Sequence, residues 1–130
     1  MLIVNVAAKC GYTYQFGGLA ELQDTYGAQG LTVLGFYCNQ FMQQAGTEQE
    51  QENVETTYGV NFPVSKIINV NPPDEHPIFT WLKAQPVGDG AVQWNFEKFL
   101  VGRDGVLISR FTTQTEPTSA SITTAIESAL

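Results

Sequence analysis

The sequence predicts an α/β domain in which a βαβ unit is followed by a helix and then a ββα unit. Two continuous apolar runs, Leu2–Ala7 and Leu31–Phe36, bracket a stretch of helical periodicity. Runs of that kind suit strands buried on both faces and joined by a right-handed crossover helix. Two later runs, Phe99–Val101 and Val106–Ile108, are joined by Gly102-Arg103-Asp104-Gly105, where Asp-Gly supplies a hairpin turn with positive φ. The length, 130 residues with 43% apolar content, suits one core and one domain over 1–130.

The first strand stops at Lys9-Cys10-Gly11. Leu19, Leu22 and Tyr26 then recur at helical spacing, so a helix is expected from about Phe16 to Ala28, closed by Gly27 and Gly30. After the second strand, residues 39–50 are rich in Gln and Gly and read as a loop. A polar helix follows from about Thr47 to Thr57, its Glu-rich stretch a solvated face. Phe62–Ile68 is extended, and Asn71-Pro72-Pro73-Asp74 breaks it. His76–Ala84 is a short helix with His76 as a capping or surface residue, and Pro86–Gly90 is a turn. The last helix opens at Thr115–Thr118 and buries Ile122, Ala125, Ile126 and Leu130. This order of elements is that of the thioredoxin-like fold.

Charge and cysteine content remove several functional classes. A net charge of −7 with only six Lys and Arg leaves no basic stripe for nucleic acid and no attraction to an anionic membrane. No apolar run approaches the roughly 18 residues of a membrane span. Two cysteines and one histidine are too few for a disulfide framework or a typical structural zinc site. The expected setting is a reducing one, the cytoplasm, and no metal or bound cofactor is expected.

In open α/β sheets chemistry sits beyond the carboxyl ends of strands, and Cys10 falls there, between the first strand and the first helix. A thiol at a helix N-terminus meets unpaired N–H groups that favour the nucleophilic thiolate, and Lys9 adds a positive charge if it stays close. Thr13 occupies the second place of a Cys-x-x-Cys pattern, so no local disulfide can form there. Trp94, Asn95 and Gln44 are neutral donors that loops beyond the sheet could bring to the same crevice, where they would stabilise a thiolate or orient a peroxide. A buried structural cysteine, a core tryptophan and solvated amides fit the spacing equally well.

Leu2–Thr13 resembles the block around the peroxidatic cysteine or selenocysteine of the glutathione peroxidase family. Leu34–Phe41 is similar to its second signature, with Tyr37 where Pro is usual, and Trp94–Leu100 to its third. Tyr58–Pro63, His76-Pro77 and Arg103-Asp104-Gly105 fill the intervals in order. The resemblance implies a thioredoxin-like fold, reduction of hydrogen peroxide or organic hydroperoxides, and a catalytic tetrad of Cys10, Gln44, Trp94 and Asn95. It implies no bound cofactor and a thiol co-substrate such as glutathione or a thioredoxin-like reductant. A non-enzymatic peroxide sensor or redox relay is the alternative.

Departures from the family pattern sharpen these expectations. The usual N-terminal hairpin does not precede Leu2. Gln44 aligns by counting from Phe41, with Gln40 and Gln43 as close competitors. Val54 stands where the thioredoxin-dependent branch has its resolving cysteine, and few arginines are available for glutathione. The short connection Gln85–Gln93 favours a monomer or a small oligomer. Cys38 is expected to be a buried strand-end residue, with resolution of an oxidised Cys10 as the sharper alternative.

Overall fold

A computed structural model describes residues 1–130. The elements are β1 (Leu2–Val6), α1 (Gln15–Tyr26), β2 (Val33–Tyr37), α2 (Glu48–Thr57), α3 (Pro77–Lys83), β3 (Lys98–Val101), β4 (Leu107–Phe111) and α4 (Ala120–Ala129). The sheet order is β2-β1-β3-β4. β1 runs parallel to β2, with Leu2 opposite Val33 and Val6 opposite Tyr37. It runs antiparallel to β3, with Val4 opposite Lys98. The β3–β4 hairpin is antiparallel, with an irregularity between Leu100 and Val101. This is a thioredoxin-like fold.

Every residue of β1 is buried because β1 is central in the sheet and covered on both faces. On one face Val4, Val6 and Leu100 pack with Leu19 and Leu22 of α1 and Ile122 and Ile126 of α4. On the other Ile3, Phe99 and Val101 pack with Phe79 and Leu82 of α3. The alternation follows from the two-residue period of the strands. The extended segment after Phe62 forms parallel bridges, Gly35 with Val64 and Cys38 with Ile68. These bridges cover the free edge of β2.

Three boundaries differ from the sequence expectation. α1 ends at Tyr26 and continues as a tight 3-10 turn, Gly27–Gln29, closed by Gly30 at φ 110°. α4 begins at Ala120 with Ser119 as its cap, because Thr115 and Ser119 close turns onto Thr112 and Glu116 before the helix starts. Leu130 follows the helix and is 37% exposed, so it does not belong to the buried face. Two expectations hold as written. His76 caps α3, its Nδ1 accepting from the Ile78 N–H at 3.2 Å. α2 buries no residue and is anchored by a capping box, with the Thr47 hydroxyl and Glu50 carboxylate each accepting from the other's N–H.

Candidate active site

Cys10 lies beyond the carboxyl end of β1 and is partly exposed. Its carbonyl accepts from the Thr13 N–H at 3.0 Å, and further one-turn bonds lead through residues 12–17 into α1. The Thr13 hydroxyl accepts from the Cys10 N–H at 3.0 Å and donates to the Ala7 carbonyl at 2.8 Å. Thr13 is therefore the brace of the loop in the place where a second sulfur would sit. Cys10 Sγ accepts from the Tyr12 N–H at 3.4 Å. The Tyr12 N–H belongs to the turn that precedes α1, so the sulfur meets a turn N–H and not the first turn of the helix that the sequence leads one to expect. The Lys9 Nζ pairs with Glu50 at 3.4 Å in solvent, so its charge is shared with a carboxylate.

The loop after β2 is laid against the Cys10 segment by its main chain. The Ala8 N–H donates to the Ala45 carbonyl at 3.2 Å and the Lys9 N–H to the Gln44 carbonyl at 3.0 Å. Met42 and Gln43 adopt left-handed φ values of 57° and 52°, which turn the chain sharply before Gln44. The Gln44 side chain accepts from Asn95 Nδ2 at 3.0 Å through Oε1. The other glutamines are placed differently. Gln40 Oε1 accepts from the Val70 and Asn71 N–H groups while its Nε2 donates to the Asn71 carbonyl, so it braces the neighbouring loop. Gln43 is exposed.

Trp94-Asn95-Phe96 reaches the same place from the other side of β1. The Trp94 ring lies 5.7 Å from the Phe41 ring. Asn5 of β1 donates through Nδ2 to the Trp94 carbonyl at 2.9 Å and accepts from the Phe96 N–H through its own carbonyl. Phe96 is fully buried at φ 64°, a conformation costing a bulky residue about 1–3 kcal/mol. Asn95 is also fully buried, and its Oδ1 has no hydrogen-bond partner. The structure thus joins Gln44 to Asn95 directly and joins the Gln44 and Cys10 segments through the main chain. Trp94 adjoins them through Phe41. No side-chain hydrogen bond runs from these three residues to the sulfur.

Asn5, Thr13 and Thr113 support the site and were not singled out as functional by sequence reasoning. Asn5 carried a signal, since it is the one amide in an otherwise apolar strand. Cys38 is far from being a partner. It is fully buried among Ile3, Phe79 and Phe99, on the sheet face opposite the core that Cys10 packs against, and burial pushes its thiol pKa up.

A family model for glutathione peroxidase matches residues 1–83. A glutathione peroxidase of Lactococcus lactis subsp. cremoris is 46% identical over 121 residues, covering 90% of this chain and 77% of the relative. A hydroperoxy fatty acid reductase, Gpx2, of Synechocystis is 44% identical over 133 residues, covering 100% of this chain and 84% of the relative. The glutathione peroxidase-like peroxiredoxin HYR1 of Saccharomyces cerevisiae is 43% identical, covering 95% and 78%. Among solved structures, the apo form of Trgpx superposes with a TM-score of 0.73 at 42% identity, covering 98% of this chain and 78% of that one. With its thioredoxin-like fold and its cysteine at the end of β1, the chain belongs to the glutathione peroxidase family.

Proposed function

We propose that this peroxidase works through Cys10, Gln44, Trp94 and Asn95, and that it reduces hydrogen peroxide or organic hydroperoxides at the expense of an external thiol. The observation that carries the assignment is the Asn95–Gln44 hydrogen bond, made by two amides whose loops converge on the Cys10 segment. Gln44 Nε2 and the Trp94 indole N–H donate to no protein acceptor, and Asn95 Oδ1 is an unused buried acceptor. The Gln44 and Trp94 N–H groups are thus free to donate to the oxygens of a peroxide.

In the reaction the Cys10 thiolate attacks one peroxide oxygen and the O–O bond breaks. Cys10 becomes a sulfenic acid, and the departing alkoxide or hydroxide takes a proton to leave as alcohol or water. A thiol then condenses with the sulfenic acid to give a mixed disulfide and water. A second thiol attacks that disulfide, releasing Cys10 and an external disulfide. The chemistry needs no bound cofactor or metal, and glutathione or a thioredoxin-like protein would serve as the thiol. Relatives named as peroxidases and reductases favour turnover over a sensor or relay role. Two free thiols suit a reducing compartment, so the cytoplasm is the proposed location, with a monomer or small oligomer as the working form.

The test is stopped-flow oxidation by hydrogen peroxide, followed by Trp fluorescence, on the protein and on Cys10→Ser. Second-order quenching in the parent and none in the variant is expected. A parent that reacts no faster than free cysteine at the same pH would overturn the proposal.

A further inference from the structure

Lys98 is fully buried in β3, on the sheet face that also carries Val4 and faces α1. Burying an ammonium group is unfavourable unless its protons are used. Its Nζ donates to the Thr113 carbonyl at 3.1 Å and the Thr115 carbonyl at 2.7 Å, and no carboxylate forms a salt bridge with it. The lysine therefore holds main chain, namely the connection between β4 and α4.

Thr113 is the centre of that connection and is itself 2% exposed. Its carbonyl takes a second bond, at 2.8 Å, from Nε2 of Gln15, the first residue of the helix that follows Cys10. Its hydroxyl donates to the Asn95 carbonyl at 2.6 Å. Asn5 already fixes the Trp94 carbonyl and the Phe96 N–H on either side. The Asn95 carbonyl lies between those two groups in the chain, and the Thr113 hydroxyl holds it. A bulky residue at positive φ persists when its surroundings over-determine it, and Phe96 sits at φ 64° directly after Asn95.

We infer that Thr113 and Lys98 are positioning residues: Lys98 fixes Thr113, and the Thr113 hydroxyl fixes Asn95 where its amide meets Gln44. The inference rests on the reading of Asn95 as a site residue. Without the bracket, the turn at Phe96 can relax and swing the Asn95 amide off Gln44, while Cys10, braced separately by Thr13, keeps its place.

The experiment compares the parent with Thr113→Val, Thr113→Ser, Lys98→Met and Asn95→Ala. It measures the single-turnover rate constant for Cys10 oxidation by hydrogen peroxide, and the rate of Cys10 alkylation by iodoacetamide, identified by peptide mass. Alkylation needs the thiolate but not an oriented peroxide, so it separates the two effects. Asn95→Ala and Thr113→Val are expected to slow oxidation by about tenfold, the scale of one lost buried hydrogen bond. Alkylation should be unchanged, Thr113→Ser should restore the rate, and Lys98→Met should behave like Thr113→Val. If Asn95→Ala slows oxidation while Thr113→Val does not, the positioning role is overturned and the site assignment stands. If Asn95→Ala has no effect, the premise fails and the inference with it. A fall in alkylation parallel to oxidation in Thr113→Val also overturns it, since the damage then lies at Cys10. Should Lys98→Met not fold, the Thr113 pair decides.

Discussion

Asn95 donates to Gln44 at 3.0 Å across 51 residues of sequence, and this is the one side-chain hydrogen bond that either residue makes. Gln44 is otherwise tethered only by its main chain, through the Lys9 N–H. The two amides are therefore expected to act as a unit. Gln44→Ala and Asn95→Ala should each slow peroxide oxidation of Cys10, and the double variant should lose less than the product of the two. A coupling of about 1 kcal/mol in the double-mutant cycle is expected from groups in direct contact. Strictly multiplicative losses would show that the amides work independently.

Cys38 is expected to take no part in the cycle. The sheet separates it from Cys10, and its thiol is buried among apolar side chains. Peroxide treatment without added thiol should leave Cys10 as sulfenic or sulfinic acid, and mass spectrometry should find no Cys10–Cys38 disulfide. Cys38→Ala should turn over with external thiol at the parent's rate.

Arg110 binds the loop 88–91 that leads to Trp94, while Asn71 holds Val92 through both its N–H and its carbonyl. Arg110 Nε donates to Glu97 at 2.8 Å, Nη1 to the Gly88 and Gly90 carbonyls, and Nη2 to the Ala91 carbonyl. Its guanidinium also lies 4.7 Å from the Phe99 ring centre. Glu97 is 4% exposed, so Arg110→Met leaves a buried carboxylate without its partner. A loss of about 3 kcal/mol in urea unfolding is expected. Arg110→Met combined with Glu97→Gln should recover part of it, which the same denaturation would reveal.

Lys98 should make stability rise in mild alkali. Burial lowers its pKa in the folded protein to about 8 from 10.5, with Glu116 and Glu97 opposing the shift. Between those values the unfolded chain binds a proton that the folded chain does not, so rising pH favours folding there. The cost of burying the charge is present in full below pH 8, and its relief by pH 10.5 amounts to at most about 3 kcal/mol. The check is the unfolding free energy of the parent minus that of Lys98→Met from pH 7 to 10, which cancels the tyrosines common to both. A difference that stays flat would mean that Lys98 does not change protonation in this range.

The chain order of the strands, the parallel β1–β2 pair and the β3–β4 hairpin were legible because β1 and β2 lie in largely apolar runs and because Asp104-Gly105 marks the hairpin turn, with Gly105 at φ 81°. His76 was legible as a cap from its place before Pro77. The site was legible only in part. Cys10 follows from strand and helix periodicity and Gln44 from counting along the resembled pattern from Phe41, but that Gln40 is held elsewhere depends on the loop 69–71, a distant part of the chain. Lys98 in a strand would ordinarily be placed facing water, and nothing local says that two carbonyls wait for it inside. Phe96 at positive φ is equally silent, because its conformation is imposed by Asn5 and Thr113 from outside the segment.

The placement of the two sulfurs on opposite sides of the sheet sets the lifetime of the oxidised protein. On the reading of Cys10 as the peroxidatic cysteine, its sulfenic acid meets no thiol among residues 1–130 on its own face of the sheet, so it waits for one to arrive by diffusion. While it waits, another peroxide can carry it to sulfinic acid, a state thiols do not reverse. The number of turnovers each molecule completes before it is spent is therefore governed by the surrounding ratio of thiol to peroxide. In this respect the protein behaves as a fuse whose rating is written in its solvent.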